Sequence, residues 1–117
     1  MSSVTLLHNP RCSKSRETLK LLEEHGIAFE TREYLKSPLD ESELRELFRM
    51  LNLDSVDKMM RTKEKEYKEA GLHEDGVSDD ARFSAMATTP KLMERPVVIH
   101  KGKAAIGRPP QQVLDIL

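Results

Sequence analysis

A single cysteine in 117 residues, Cys12, forbids any intramolecular disulfide. That excludes a secreted, disulfide-stapled fold and fits a reducing compartment. Cys12 and the four scattered histidines, His8, His25, His73 and His100, also lack zinc-ligand spacing. Aromatic residues make up only 4 % of the chain and tryptophan is missing, so Leu, Val, Ile and Met must build the core. A net charge of −1 provides no overall field to draw in nucleic acid or an anionic membrane. Any basic site has to be local. No window is apolar enough to span a bilayer. The opening Met-Ser-Ser-Val-Thr-Leu-Leu-His also lacks the charged start and long apolar run of a signal peptide. The expectation is a soluble cytoplasmic protein with no membrane or nucleic-acid partner, one domain over residues 1–117 with a modest core.

What is present is patterned. Val4–Leu7 reads as a short strand that leads through a polar loop into a helix over Ser13–His25, with Leu19 and Leu22 inward and Gly26 as the stop. Ile27–Leu35 reads as a second strand, so the first forty residues form a β-α-β unit with parallel strands and a right-handed crossover. After a turn at Lys36–Asp40, the segment Glu41–Leu51 places Leu44, Leu47, Phe48 and Leu51 on one helical face. Short helical pieces follow at Val56–Met60 and Lys63–Ala70, the latter charged as solvated faces are. Ser78 caps a further helix carrying Phe83 and Met86 and ending before Pro90. Pro96–His100 and Ala104–Ile106 then form a hairpin about Lys101-Gly102-Lys103, and Pro109 or Pro110 starts a final helix, Gln111–Leu117. The order is βαβ, a helical insert, then ββα: an α/β fold with a mixed four-stranded sheet, thioredoxin-like in connectivity.

The candidate chemistry gathers around Cys12. By itself a lone cysteine reads as a small buried hydrophobe. This one follows Pro10 in a polar loop, has Arg11, Lys14 and Arg16 beside it, and stands where a helix begins. The unpaired N–H groups and positive dipole end of a helix's first turn favour both a thiolate and a docked oxyanion. His8 either finds a backbone partner in the loop or favours the thiolate as imidazolium or hydrogen-bond donor. Ser15 either donates to the sulfur or caps the helix. Arg61, Arg95 and Arg108 stand at structural breaks, where arginines are ordinarily surface residues. Their guanidinium forks nevertheless suit tetrahedral oxyanions. A cysteine-phosphatase loop fails on spacing, because Thr18 occupies the position where its arginine belongs. A thioredoxin-type redox pair fails because Ser15 replaces the second cysteine.

The segments His8-Asn-Pro-Arg-Cys-Ser-Lys-Ser-Arg16, Met60-Arg61-Thr-Lys, Arg95-Pro-Val-Val and Gly107-Arg-Pro together resemble the glutaredoxin-coupled arsenate reductase family, the ArsC-like thioredoxin-fold proteins. Tyr34–Pro38, Leu72–Asp80 and the ending Val113-Leu-Asp-Ile-Leu extend the resemblance over essentially the whole chain. It implies that Cys12 is the nucleophile, supported by His8. Oxyanion binding then falls to Arg61, Arg95 and Arg108, with Ser15 and Arg11 beside them, and a cis bond before Pro96 shapes the site. Typical members carry Gly-Thr after the cysteine, whereas this chain has Ser13-Lys14. Glycine would give the loop freer backbone geometry, so the difference bears on arsenate turnover.

Cysteine number adds a constraint of its own. Reducing arsenate takes two electrons, and one thiol cannot supply both by closing an internal disulfide, so an external thiol must enter. The resemblance names it as glutathione, with glutaredoxin regenerating the enzyme and no tightly bound cofactor or metal. Two other readings share the architecture: an Spx-like regulator that binds RNA polymerase, and a glutathione-linked thiol reductase with another substrate. The former typically senses oxidation through a Cys-x-x-Cys pair, which Ser15 interrupts.

Overall fold

Val4–His8 forms β1, buried at every position but Thr5, and it ends at His8, where the loop to the first helix begins. The computed structural model describes residues 4–74 and 76–117. The opening Met-Ser-Ser, and Asp75 within the Leu72–Asp80 segment, lie outside the described residues. Helix α1 runs over Ser13–Glu24, β2 over Glu30–Glu33, α2 over Glu41–Leu51, α3 over Lys65–Glu69 and α4 over Asp79–Thr88. Strands β3, Val97–His100, and β4, Lys103–Ile106, complete the sheet.

Among the described residues the four strands are ordered β2-β1-β3-β4. β1 pairs parallel with β2 and antiparallel with β3, and β4 returns antiparallel on β3. This is the mixed, thioredoxin-like sheet expected from the sequence. Lys101 (φ 49°) and Gly102 (φ 78°) both adopt left-handed backbone in the β3–β4 turn, the geometry that matches the twist of a two-residue hairpin.

The chain divides into two compact units, one made of Met1–Ser37 with Arg95–Leu117 and the other of Pro38–Glu94. The first holds the sheet. Its core joins Val4 and Leu6 of β1, Leu22 of α1, Val98 of β3 and Val113, with Leu19, Leu21, Ile27, Phe29, Ala105 and Ile116 packed against them. The second unit is helical and buries Leu44, Leu47, Val56, Met59, Tyr67, Phe83, Met86 and Leu92. Phe83 meets Phe48 edge-on at 5.9 Å and lies 4.7 Å beneath the Arg45 guanidinium. Asp40 closes a capping box with Glu43 at the start of α2, and Ser78 accepts from the Ala81 N–H at the start of α4.

Several boundaries differ from those expected. The second strand is only Glu30–Glu33, not Ile27–Leu35, because it lies at the sheet edge and is half-exposed or exposed throughout. The expected piece Val56–Met60 is a single 3₁₀ turn, Val56–Met59, and the charged helix Lys63–Ala70 contracts to α3. The last segment is a 3₁₀ helix over Pro110–Ile116, not an α-helix over Gln111–Leu117. In a 3₁₀ helix, side chains three apart eclipse. That puts Pro110, Val113 and Ile116 in one row facing inward, with Pro110 and Val113 buried and Ile116 against the sheet core. No helix among the described residues is long and apolar enough to cross a membrane.

Candidate active site

The loop between β1 and α1 positions the sulfur. Cys12 is the N-cap residue of α1, with extended backbone (φ −93°, ψ 125°), and no side chain supplies the usual capping hydrogen bond. Its N–H donates to Asn9 O at 3.0 Å, its carbonyl accepts from Arg16 N–H at 3.0 Å, and Asn9 Oδ1 accepts from the Arg11 N–H at 3.0 Å. These bonds tie the loop into one conformation. They leave the first-turn N–H groups of the helix aimed at Sγ.

Cys12 is 8 % exposed. Burial pushes its thiol pKa up, but the Ser15 backbone N–H, the Arg95 guanidinium and the Lys14 N–H together outweigh burial, and the net direction is down. A second guanidinium approaches from Arg108, whose Nη2 lies 3.9 Å from Cys12 Sγ and whose Nε donates to the Arg95 carbonyl at 2.8 Å. The two arginines are therefore held to each other and to the sulfur. Arg95 precedes a cis bond to Pro96, the one the resemblance implied, and Arg108–Pro109 is cis as well.

Ser15, in the first turn of α1, is fully buried. Its Oγ accepts from the Asn9 N–H at 3.0 Å and meets His8 Nδ1 at 2.7 Å. Burial lowers the His8 pKa, Glu33 partly opposes that, and Arg16 adds a smaller downward push. The imidazolium is accordingly disfavoured. With a neutral ring and Oγ already accepting from Asn9, assigning the serine hydroxyl as donor to Nδ1 satisfies all three groups. His8 thus reaches the site through Ser15 and the loop backbone.

The first unit brings together Cys12, His8, Ser15, Arg95, Pro96 and Arg108. The Arg11 side chain is exposed. Arg61 belongs to the second unit, where its Nε donates to Glu64 at 2.9 Å, its Nη1 to Glu94 at 3.3 Å and its N–H to Leu92 O.

Two further residues shape the site in roles that the sequence did not show. Gly107 donates its N–H to Pro96 O at 2.9 Å. A Cβ there would lie 2.7 Å from Thr18 Oγ1 and 2.8 Å from Pro96 Cγ, so only glycine lets the end of β4 close on α1 and the Pro96 loop. Thr18, fully buried, donates to Lys14 O at 2.9 Å. The signal for it is spacing: Ser15, Thr18 and Leu22 form a helical stripe whose first two members are polar. Among the described residues, no group of three His, Cys, Asp or Glu side chains could hold a metal ion.

A model described as the ArsC family matches residues 7–116. An arsenate reductase of Neisseria meningitidis serogroup B is 49 % identical over 117 residues, covering 100 % of both chains. A protein of Escherichia coli K12 described as uncharacterized, YfgD, is 52 % identical over 114 residues, 97 % of this chain and 96 % of its own. Among solved structures, an arsenate reductase from Vibrio cholerae superposes with a TM-score of 0.97 at 53 % identity, covering 99 % of this chain and 98 % of that one.

Proposed function

The chain belongs to the ArsC family, and on that premise we propose that it reduces arsenate to arsenite through Cys12, with glutathione and glutaredoxin as the electron source. One observation carries this reading. The Ser15 and Lys14 N–H groups of α1 and the Arg95 guanidinium lower the pKa of a single sulfur, and the Arg108 guanidinium lies 3.9 Å from it. The same positive groups that favour the thiolate would hold the oxygens of a tetrahedral anion during attack.

In the proposed sequence the Cys12 thiolate attacks arsenic(V), and one arsenate oxygen leaves as water after protonation. Arg95 and Arg108 hold the remaining oxygens and offset their charge. A glutathione thiolate then forms an S–S bond to Cys12 as the electron pair of the S–As bond moves to arsenic, releasing arsenite. A second thiol, delivered by glutaredoxin, attacks the mixed disulfide and returns Cys12 to the thiolate. Two thiols are oxidised to one disulfide for each arsenic reduced, so the electrons balance. His8 and Ser15 are positioning residues here, since they hold the loop that presents the sulfur.

The test is arsenate-dependent NADPH oxidation coupled through glutathione, glutaredoxin and glutathione reductase. The wild type should show it and Cys12→Ser should show none. Activity persisting in the variant would contradict the assignment of the nucleophile.

A further inference from the structure

Strands β3 and β4 run on past their last paired residues into the site. Val97 faces Ile106 in the ladder, so Gly107 stands opposite Pro96, and Arg108 opposite Arg95 one step further out. The Gly107 N–H donates to the Pro96 carbonyl at 2.9 Å, but proline has no N–H to give in return. Packing has to supply what this rung of the ladder lacks. The bare Gly107 Cα rests against two groups with little freedom to yield. A Cβ there would lie 2.8 Å from Pro96 Cγ, a ring atom, and 2.7 Å from Thr18 Oγ1. Thr18 is fully buried, and its hydroxyl donates to the Lys14 carbonyl at 2.9 Å. Turning that hydroxyl aside would give up a buried hydrogen bond.

The next residue is Arg108, whose Nε donates to the Arg95 carbonyl at 2.8 Å and whose Nη2 lies 3.9 Å from Cys12 Sγ. We propose that Thr18 and Gly107 are positioning residues, whose contact sets where the Arg108 guanidinium meets the sulfur. The inference deepens the proposed function and rests on its reading of Arg108 as an anion-holding group. Thr18 serves both sides of the site. Its hydroxyl bonds the residue whose N–H faces the sulfur, and its Oγ1 limits how closely the strand bearing Arg108 approaches. Because neither neighbour of Gly107 yields easily, an added methyl moves the backbone of residue 107 itself, and Arg108 moves with it. The sulfur then loses positive charge although no charged residue has been changed. A misplacement of about 1 Å outside the reacting groups is enough to matter in such a site.

The test reads charge at the sulfur without arsenate. Cys12 is the single cysteine, so its alkylation can be followed cleanly: the thiolate forms an S–C bond and iodide leaves. Iodoacetate is an anion and iodoacetamide is neutral. The ratio of their rates therefore reports positive charge at the sulfur, while the thiolate fraction cancels. At low salt, Arg108→Ala should lower the ratio roughly fivefold, the effect of one unit charge about 4 Å away in water. Gly107→Ala should lower it by a similar factor, and the double variant no further than Arg108→Ala alone. Thr18→Ala, which withdraws Oγ1, should lower the ratio by less, and Thr18→Ser, which keeps it, should hold the wild-type ratio. If Gly107→Ala fails to fold, the two Thr18 variants decide the matter. A Gly107→Ala protein that loses thermal stability but keeps the wild-type ratio has lost only packing, and overturns the proposal. So do factors that multiply in the double variant, or equal ratios for Thr18→Ala and Thr18→Ser. Each of these leaves the oxyanion reading standing. An Arg108→Ala ratio equal to wild type contradicts that reading and the proposal with it.

Discussion

Three helices of this chain begin in contrasting ways. In the helical unit, α2 starts with a complete capping box at Asp40 and Glu43 and carries Glu41 and Glu43 in its first turn. There α4 starts on Ser78, with Asp79 and Asp80 behind it. In the sheet unit, α1 starts on Cys12, has no side-chain cap and holds no acid in its first turn. Caps and first-turn acids satisfy the free N–H groups and the dipole, and each stabilises a helix. α1 forgoes both, and its unsatisfied N–H groups lower the pKa of the sulfur instead. The two units also differ inside. The buried polar residues His8, Ser15 and Thr18 all fall in the sheet unit, next to the site, whereas the helical unit buries Leu, Met, Val, Phe and Tyr side chains. One region is arranged for stability, and the other gives some of it up to favour a thiolate.

That contrast can be broken at several points. The largest stability effect should come from the helical core. Leu47, fully buried in α2, should cost about 2–5 kcal/mol when cut to alanine, read as a lower urea midpoint. A loss under 1 kcal/mol, the size of a surface substitution, would deny that this core carries stability. Next comes the charge at the site. Arg95→Ala removes a hydrogen bond to an ionised sulfur, an interaction of about 1.5–3 kcal/mol. It should raise the Cys12 pKa and weaken arsenate kcat/KM by roughly tenfold to a hundredfold. Lys14→Ala, which deletes a half-exposed ammonium group, should do less. Equal losses would mean that general positive charge, and not the placed guanidinium, is what matters.

The smallest effect is the most diagnostic. Cys12→Ser places a good capping residue at α1, so below the Cys12 pKa the inactive variant should be more stable than wild type by about 0.5–1 kcal/mol. The sign then changes with pH. A thiol whose pKa is lowered on folding contributes stability that is full above the unfolded value, about 8.5, and is lost as pH falls through the folded value. The advantage of the serine variant should therefore shrink as pH rises through that interval. A gap independent of pH would show that folding does not favour the thiolate.

The sequence was most readable where stability is the only demand. The bounds of α2 follow from Asp40, Glu43 and the Leu44–Leu47 spacing, and the structure has them unchanged. Elsewhere the local signal was weak or misleading. β2 is an exposed edge strand with no inward face to set an alternation. The final helix looked α-helical until its three-residue burial row, Pro110, Val113 and Ile116, appeared against the sheet. Cys12 at a helix start was legible from Pro10, the basic neighbours and the strand before it. The joining of Arg108 to the Arg95 carbonyl was not, because it depends on strands that meet only through long-range pairing. The role of Gly107 was hidden for the same reason: what forbids a side chain there is Pro96 together with Thr18, the latter 89 positions away in the chain and adjacent only once α1 and β4 close.

The central claim is that one sulfur is held as an anion at the head of α1. Its most direct test is the pKa of Cys12, taken from the pH dependence of thiolate absorbance with Cys12→Ser as the blank. The account predicts a value below the ordinary thiol value of about 8.5. A value at or above it would contradict the claim.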